Sequence, residues 1–195
     1  MKKISIIAVT LISLFIFAAC GSMVAYKKGD NTKGYLQGVK TINVKFDYSK
    51  TAVGKFSTQE EYIAKKEADG KADFRAKWES NKTKVFIPKF ELLINQYTKD
   101  KAIQVGSKIE DADLNMVIYV THMEPGWNIG ISRRDAMINL EIEIFKKGET
   151  EPVVVYGMNN VPGYGAAGFD FDAGYRLGQC FAKAGKELGA FFSKE

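Results

Sequence analysis

The stretch Ala136-Met137-Ile138-Asn139-Leu140-Glu141-Ile142-Glu143-Ile144 decides the fold. Its even positions are all apolar, and from Asn139 its odd positions are polar. That period of two matches a strand with one face in a core and one in water. Upstream, Leu114, Met116, Ile118 and Val120 alternate in the same way, and Val39 to Tyr48 sets Ile42, Val44, Phe46 and Tyr48 on one side. Lys146-Lys147-Gly148-Glu149 suits a hairpin turn into a further strand from Val153 to Met158. Strands with a polar face imply a sheet that is wet on one side, and wet faces belong mostly to antiparallel sheets.

Helices fill the spaces between the strands. Ser57 with Glu60 makes a capping-box signal, and the helix it opens runs to about Asp69, before Gly70. A second begins near Ala72, with Phe74 and Trp78 one turn apart. Pro88 lacks an amide and would clash inside a regular helix. It therefore predicts the first turn of a new segment, in which Phe90, Leu93, Ile94 and Tyr97 share a face. The last helix, about Asp172 to Phe192, buries Leu177, Cys180, Phe181, Ala184, Leu188 and Phe191. The expected fold is α+β: a two-layer sandwich with a four-stranded, largely antiparallel sheet and helices on one face. It forms a single domain over residues 38–195.

Composition agrees with an ordinary globular domain. The chain has 195 residues, 46% hydrophobic and 26% charged, which excludes a disordered chain and a multi-span membrane protein. Its net charge of +5 includes Lys2 and Lys3; without them 26 bases face 23 acids, a net +3. That excess is too small to point to nucleic acid.

Met1-Lys2-Lys3 is a positive start, and Ile4 to Ala19 is apolar apart from Ser5, Thr10 and Ser13. Those residues as a helix reach about 24 Å, less than the ~30 Å hydrocarbon core, so residues 1–19 read as a secretory signal. The run ends in Phe17-Ala18-Ala19-Cys20-Gly21, which resembles the lipobox of bacterial lipoproteins, with Phe17 where Leu, Val or Ile is usual. The resemblance implies that the Cys20 thiol is diacylglycerylated, the signal is cut before it, and the new amino terminus is acylated. Residues 20–37, rich in Gly, Lys, Asn and Asp, read as a lipidated tether. No acid lies between Gly21 and Lys28. By the same resemblance, the protein is expected on the periplasmic face of an outer membrane. Lipidation leaves Cys180 alone, and its place on an apolar helix face predicts a buried thiol.

Five stretches resemble an uncharacterised bacterial envelope lipoprotein family: Phe46-Asp47-Tyr48, Val53-Gly54-Lys55-Phe56, Glu61-Tyr62-Ile63-Ala64-Lys65-Lys66, Glu124-Pro125-Gly126-Trp127-Asn128-Ile129-Gly130, and Phe169-Asp170-Phe171-Asp172-Ala173-Gly174-Tyr175-Arg176. The strand after Ala112-Asp113, the two that follow and the terminal helix are more distantly similar to the TolB amino-terminal domain and to lipoproteins that activate penicillin-binding proteins. Neither likeness supplies a catalytic residue.

Several motifs invite chemistry. Gly163-Tyr164-Gly165-Ala166-Ala167-Gly168 spells G-x-G-x-x-G, but Phe169 to Asp172 separates it from the helix, and no second strand or ribose-binding acid follows. A loop is the simpler expectation. His122, the only histidine, follows the core-facing phase of its strand and is expected to pack at the end of that face. Asp111-x-Asp113 and Asp170-x-Asp172 lack the glycine and glutamate of a calcium loop, and Asp170 or Asp172 suits a helix cap. Glu141 and Glu143 belong to the wet face. No catalytic residue, metal or cofactor is expected.

What remains is a surface. Pro125-Gly126 turns a loop that carries Trp127, with Arg133 and Arg134 beside it, and an aromatic with two arginines suits a binding hot spot. The expectation is a non-enzymatic, membrane-tethered protein that binds another envelope component, a protein by preference. The alternatives are a module for an anionic small molecule or glycan, using the same three residues, and a hydrolase with an unrecognised site.

Overall fold

The computed structural model describes residues 23–163 and 172–194. In chain order the strands and helices are β1 (Val24–Gly29), β2 (Thr41–Asp47), β3 (Ala52–Val53), α1 (Gln59–Ala68), α2 (Phe74–Asn81), α3 (Ile87–Thr98), β4 (Gln104–Gly106), β5 (Leu114–Glu124), β6 (Trp127–Asn128), β7 (Arg133–Arg134), β8 (Ala136–Lys146), β9 (Val154–Gly163) and α4 (Ala173–Ser193).

The four-stranded antiparallel sheet expected from the sequence is not what forms. Among the described residues the sheet has seven strands, in the order β1-β9-β8-β5-β2-β4 with β3 also on β5, and it is mixed. The neighbours β1, β9, β8 and β5 are antiparallel, but β2 runs parallel to both β5 and β4, and β3 parallel to β5. The reason is connectivity. Between β2 and its two parallel partners the chain climbs through α1, α2 and α3, and such a crossover returns it in its original direction. The wet face persists all the same: Asn43, Asn115, Glu141 and Glu143 are half-buried and Lys45 is exposed, opposite a row of fully buried residues. Short strands account for the rest of the miscount. β3 and β4 hold two and three residues, and β1 buries only Val24.

β1 lies within the stretch expected as a tether, and that stretch joins the fold in other ways too. Lys27 crosses the wet face over Gly157 to pair with Glu141. Tyr35 is buried with its hydroxyl 2.8 Å from that of Tyr156, and burial followed by this hydrogen bond pushes its pKa up. Lys33 donates to the carbonyls of Phe191 and Lys194, both at 2.8 Å, capping the carboxyl end of α4.

The helices cover the apolar face. Phe46 of β2 meets Phe90 of α3 at 5.2 Å and Phe181 of α4 at 5.9 Å, while Phe86 stacks on Phe181 at 4.8 Å. Burying such side chains is worth about 1.5–3 kcal/mol each. α3 and α4 come close because Gly185 and Gly189 face the carbonyls of Phe90 and Ile94, where a Cβ would stand 2.3 and 2.8 Å from oxygen. The first cap sits one residue later than the sequence suggests. The Thr58 hydroxyl accepts from the Glu61 amide at 3.2 Å, and Glu61 accepts from the Ser57 amide at 2.9 Å. Pro88 opens α3 as expected, yet no break precedes it. A π-helical segment, Lys82–Phe86, joins α2 to α3, and the Ile87 amide reaches five residues back to Lys82. With that rod counted once, the described residues form three helical bodies.

Two strand irregularities lie side by side. Thr121 is an extra residue in β5 between Val120 and His122, and β9 carries one opposite Asn139. The Thr121 hydroxyl donates to the Asn139 carbonyl at 3.2 Å, and the Asn139 side chain accepts from the Asn160 amide at 2.7 Å. Such bulges change which side chains face inward.

Candidate functional site

That change of phase displaces His122. The expected place at the end of the core face goes to Met123, which is fully buried, while His122 is half-buried and pairs in register with Asn139. The other motifs also resolve structurally. Asp113 accepts from the amides of Lys40 and Thr41 at 2.8 and 2.9 Å, and those bonds hold its carboxyl below the usual carboxylate range. Asp111 pairs with Lys147. Asp172 caps α4 by accepting from the Tyr175 amide at 2.8 Å; Asp170 lies outside the described residues. Gly163 ends β9 where a Cβ would stand 2.3 Å from the Arg176 carbonyl, so its lack of a side chain serves strand–helix contact. The rest of that glycine motif lies outside the described residues, as do Cys20 and the signal stretch. Cys180 is buried and its thiol is pushed up to about 12, chiefly by burial. Among the described residues no three of His, Cys, Asp and Glu gather to hold a metal, and no helix is long and apolar enough to cross a membrane.

Trp127, Arg133 and Arg134 do come together, on a two-stranded ribbon of their own. Trp127 pairs with Arg134, and Asn128 with Arg133. The ribbon leaves the end of the sheet through Pro125-Gly126. Gly126 has a φ of +62°, and a Cβ there would stand 2.2 Å from the Arg134 carbonyl. Beneath it lies Arg176 of α4, only 4% exposed. Its Nε donates to the Pro125 carbonyl at 3.0 Å and its Nη2 to the Gly126 carbonyl at 3.1 Å. A buried guanidinium with fixed carbonyl partners stiffens the base of the ribbon. At the tip, the Asn128 side chain accepts from the Gly130 amide at 2.9 Å, and the Ile129 amide donates to the Ser132 carbonyl at 3.0 Å.

The tip is apolar. Ile131 is 96% exposed, Ile129 65% and Trp127 42%. The arginines are less available than the sequence suggests: Arg134 lies 3.5 Å from Glu124 and Arg133 3.8 Å from Asp135. Ile129, Ile131 and Arg176 belong to this site and are not among the residues that the sequence nominates for it. Ile-Gly-Ile in a short inter-strand loop, and one charge within the apolar stripe of α4, are the signals that mark them.

Trp127 also forms one wall of a cleft of about 340 Å³. Tyr62, Phe74 and Trp78 make an aromatic floor, with ring centroids 5.2 to 5.8 Å apart. Lys66, Lys71 and Lys77 stand at its rim, and Arg133 and Arg134 lie outside its lining. Burial, reinforced by Glu124, pushes the Tyr62 hydroxyl up to about 12. Comparison of the chain with protein-family models, curated proteins and solved structures gives no match.

Proposed function

We propose that the chain is a non-enzymatic, lipid-anchored protein of the bacterial envelope, held through Cys20 at the periplasmic face of the outer membrane, and that the β6–β7 ribbon is its contact with another envelope component. One observation carries the contact: three apolar side chains, Trp127, Ile129 and Ile131, stand in water within five residues on a braced ribbon. Isolated exposed apolar residues are common on any surface, but a cluster at one loop tip marks an interaction site. The lipobox resemblance at Phe17 to Gly21 carries the anchor.

A photoreactive residue in place of Ile129, irradiated in intact cells, tests the contact against a second probe in place of Glu143 on the wet face. Adducts to lipid or protein that form at 129 and not at 143 support it; equal labelling at both contradicts it. Cys20→Ser tests the anchor. The variant should be unprocessed or released into the periplasm, and a processed variant that still sediments with washed outer membranes would remove the anchor from the account.

The cleft favours a second reading, an anionic small molecule or glycan stacked on Trp127, because Lys66 and Lys71 stand at the rim of its aromatic floor, beside Lys77, which pairs with Asp172. Titration with phosphorylated sugars should then change tryptophan emission, and Lys71→Ala should weaken that response.

A further inference from the structure

The direction of β1 connects the anchor with the ribbon, and we infer that the surface met by Ile129, Ile131 and Trp127 is the lipid bilayer that holds Cys20. This rests on the lipid-anchored reading and names the component that the ribbon contacts.

Strand register carries the argument. Gly29 lies opposite Val154 and Val24 opposite Met158, so from Gly29 back to Val24 the chain travels in the direction in which β9 runs to Gly163. Gly163 pairs with Ala136, which follows directly on the ribbon. Met158 is five residues short of that edge, about 16 Å along a strand. Cys20 is four residues before Val24 and reaches at most about 14 Å beyond it. Sideways, β1 stands two strands from β8, roughly 10 Å. The lipidated residue can therefore stand nearly level with the base of the ribbon. The opposite end of the sheet, at Val154, lies the length of β9 away and behind the direction of travel. With β1 inside the fold, only residues 21–23 separate the lipid from the sheet.

The chemistry of the tip suits that neighbour. Two isoleucines beside a tryptophan can enter the headgroup–acyl boundary, where tryptophan prefers to sit, while Arg133 and Arg134 remain at headgroup level. Glu124 and Asp135 offset those arginines, so apolar insertion outweighs attraction to anionic lipid. Two or three acyl chains already retain the protein. The ribbon's work is then orientation: it stands the sheet end-on to the membrane and presents the wet face sideways.

Tryptophan emission tests this. The full lipidated chain is reconstituted into phosphatidylethanolamine–phosphatidylglycerol vesicles whose acyl chains carry bromine near the headgroup. Trp127→Phe supplies the signal of buried Trp78 for subtraction. The expected result is a blue shift and a roughly twofold or greater loss of Trp127 emission by bromine. Raising salt to about 1 M, where charges are screened within ~3 Å, leaves it unchanged, and Ile129→Asp with Ile131→Asp abolishes it. Vesicle-bound protein whose Trp127 is neither shifted nor quenched overturns the proposal and leaves the anchor standing. Protein that does not sediment with vesicles overturns both. Adducts at position 129 to protein alone in the cellular experiment would keep the contact and replace the bilayer with a protein partner.

Discussion

Two loops stand at opposite ends of the main sheet, one joining β8 to β9 and one at the tip of the β6–β7 ribbon, and each carries an exposed glycine with positive φ. The β8–β9 turn exposes Lys147, Gly148, Glu149, Thr150 and Glu151, with Gly148 at a φ of +79°. The ribbon tip exposes Ile129, Gly130, Ile131 and Ser132, with Gly130 at +84°. In both, the space around the glycine is open, and neither tip packs on the core. At both tips a glycine of positive φ turns the chain in open space, and water favours charged neighbours there. The isoleucines therefore answer to something other than folding, which is why the apolar tip is read as a contact surface.

The largest expected effect comes from undoing what holds the apolar tip in place. Arg176→Met leaves the Pro125 and Gly126 carbonyls without their buried donor, at about 1–3 kcal/mol each, so the urea midpoint should fall by the equivalent of about 3 kcal/mol. A shift within 0.5 kcal/mol, the range of ordinary surface changes, would mean the ribbon stands without its brace. Trp127→Ala should cost less, about 1–2 kcal/mol. The ring is partly packed against the cleft, whereas a fully buried aromatic costs about 3–5 kcal/mol.

Ile129→Ser with Ile131→Ser should leave stability within about 0.5 kcal/mol and diminish membrane contact, separating folding from function at one turn. The reciprocal exchange, Lys147→Ile with Glu149→Ile, should be equally neutral for stability. It should not reproduce bromine quenching of a nearby reporter, because on the lipid-anchored reading that end of the sheet points away from the anchor.

The smallest effect lies at Asp113, beside the charged turn. Its depressed carboxyl pKa favours the folded state above the unfolded value near pH 4, and that contribution is lost as pH falls through the folded value. Asp113→Asn should therefore lower the unfolding midpoint more at pH 6 than near pH 2. An equal loss at both would assign Asp113 a role independent of its charge.

These differences follow what a sequence can express. Long strands with strict alternation, such as 136–144, are written locally, because each residue's partner is water or core. So is α4, whose apolar stripe and Asp172 cap lie in one stretch. The mixed sheet was not legible, because the parallel pairing of β2 with β5 depends on where the α1–α3 crossover lands. β1 was hidden because an edge strand needs few apolar residues and borrows its core from β9. His122 misled because one extra residue at Thr121 inverts the phase, and no local signal announces it. At the candidate site, Trp127 and the arginines were legible as residue types. The acids at 124 and 135 that offset the arginines, and the brace from Arg176, depend on the folded geometry.

The most direct test labels the two turns side by side. Cys180 is buried with its thiol pushed up to about 12, and on this account Cys20 is acylated, so an introduced cysteine is the one reactive thiol. Ile131→Cys and Glu149→Cys, each in the lipidated chain on phosphatidylethanolamine–phosphatidylglycerol vesicles, are treated with a charged, membrane-impermeant maleimide. Position 149 should react as fast on vesicles as in detergent, and position 131 at least tenfold slower on vesicles, recovering in detergent. Equal rates at the two positions on vesicles would contradict the claim that the apolar end of the sheet faces the membrane.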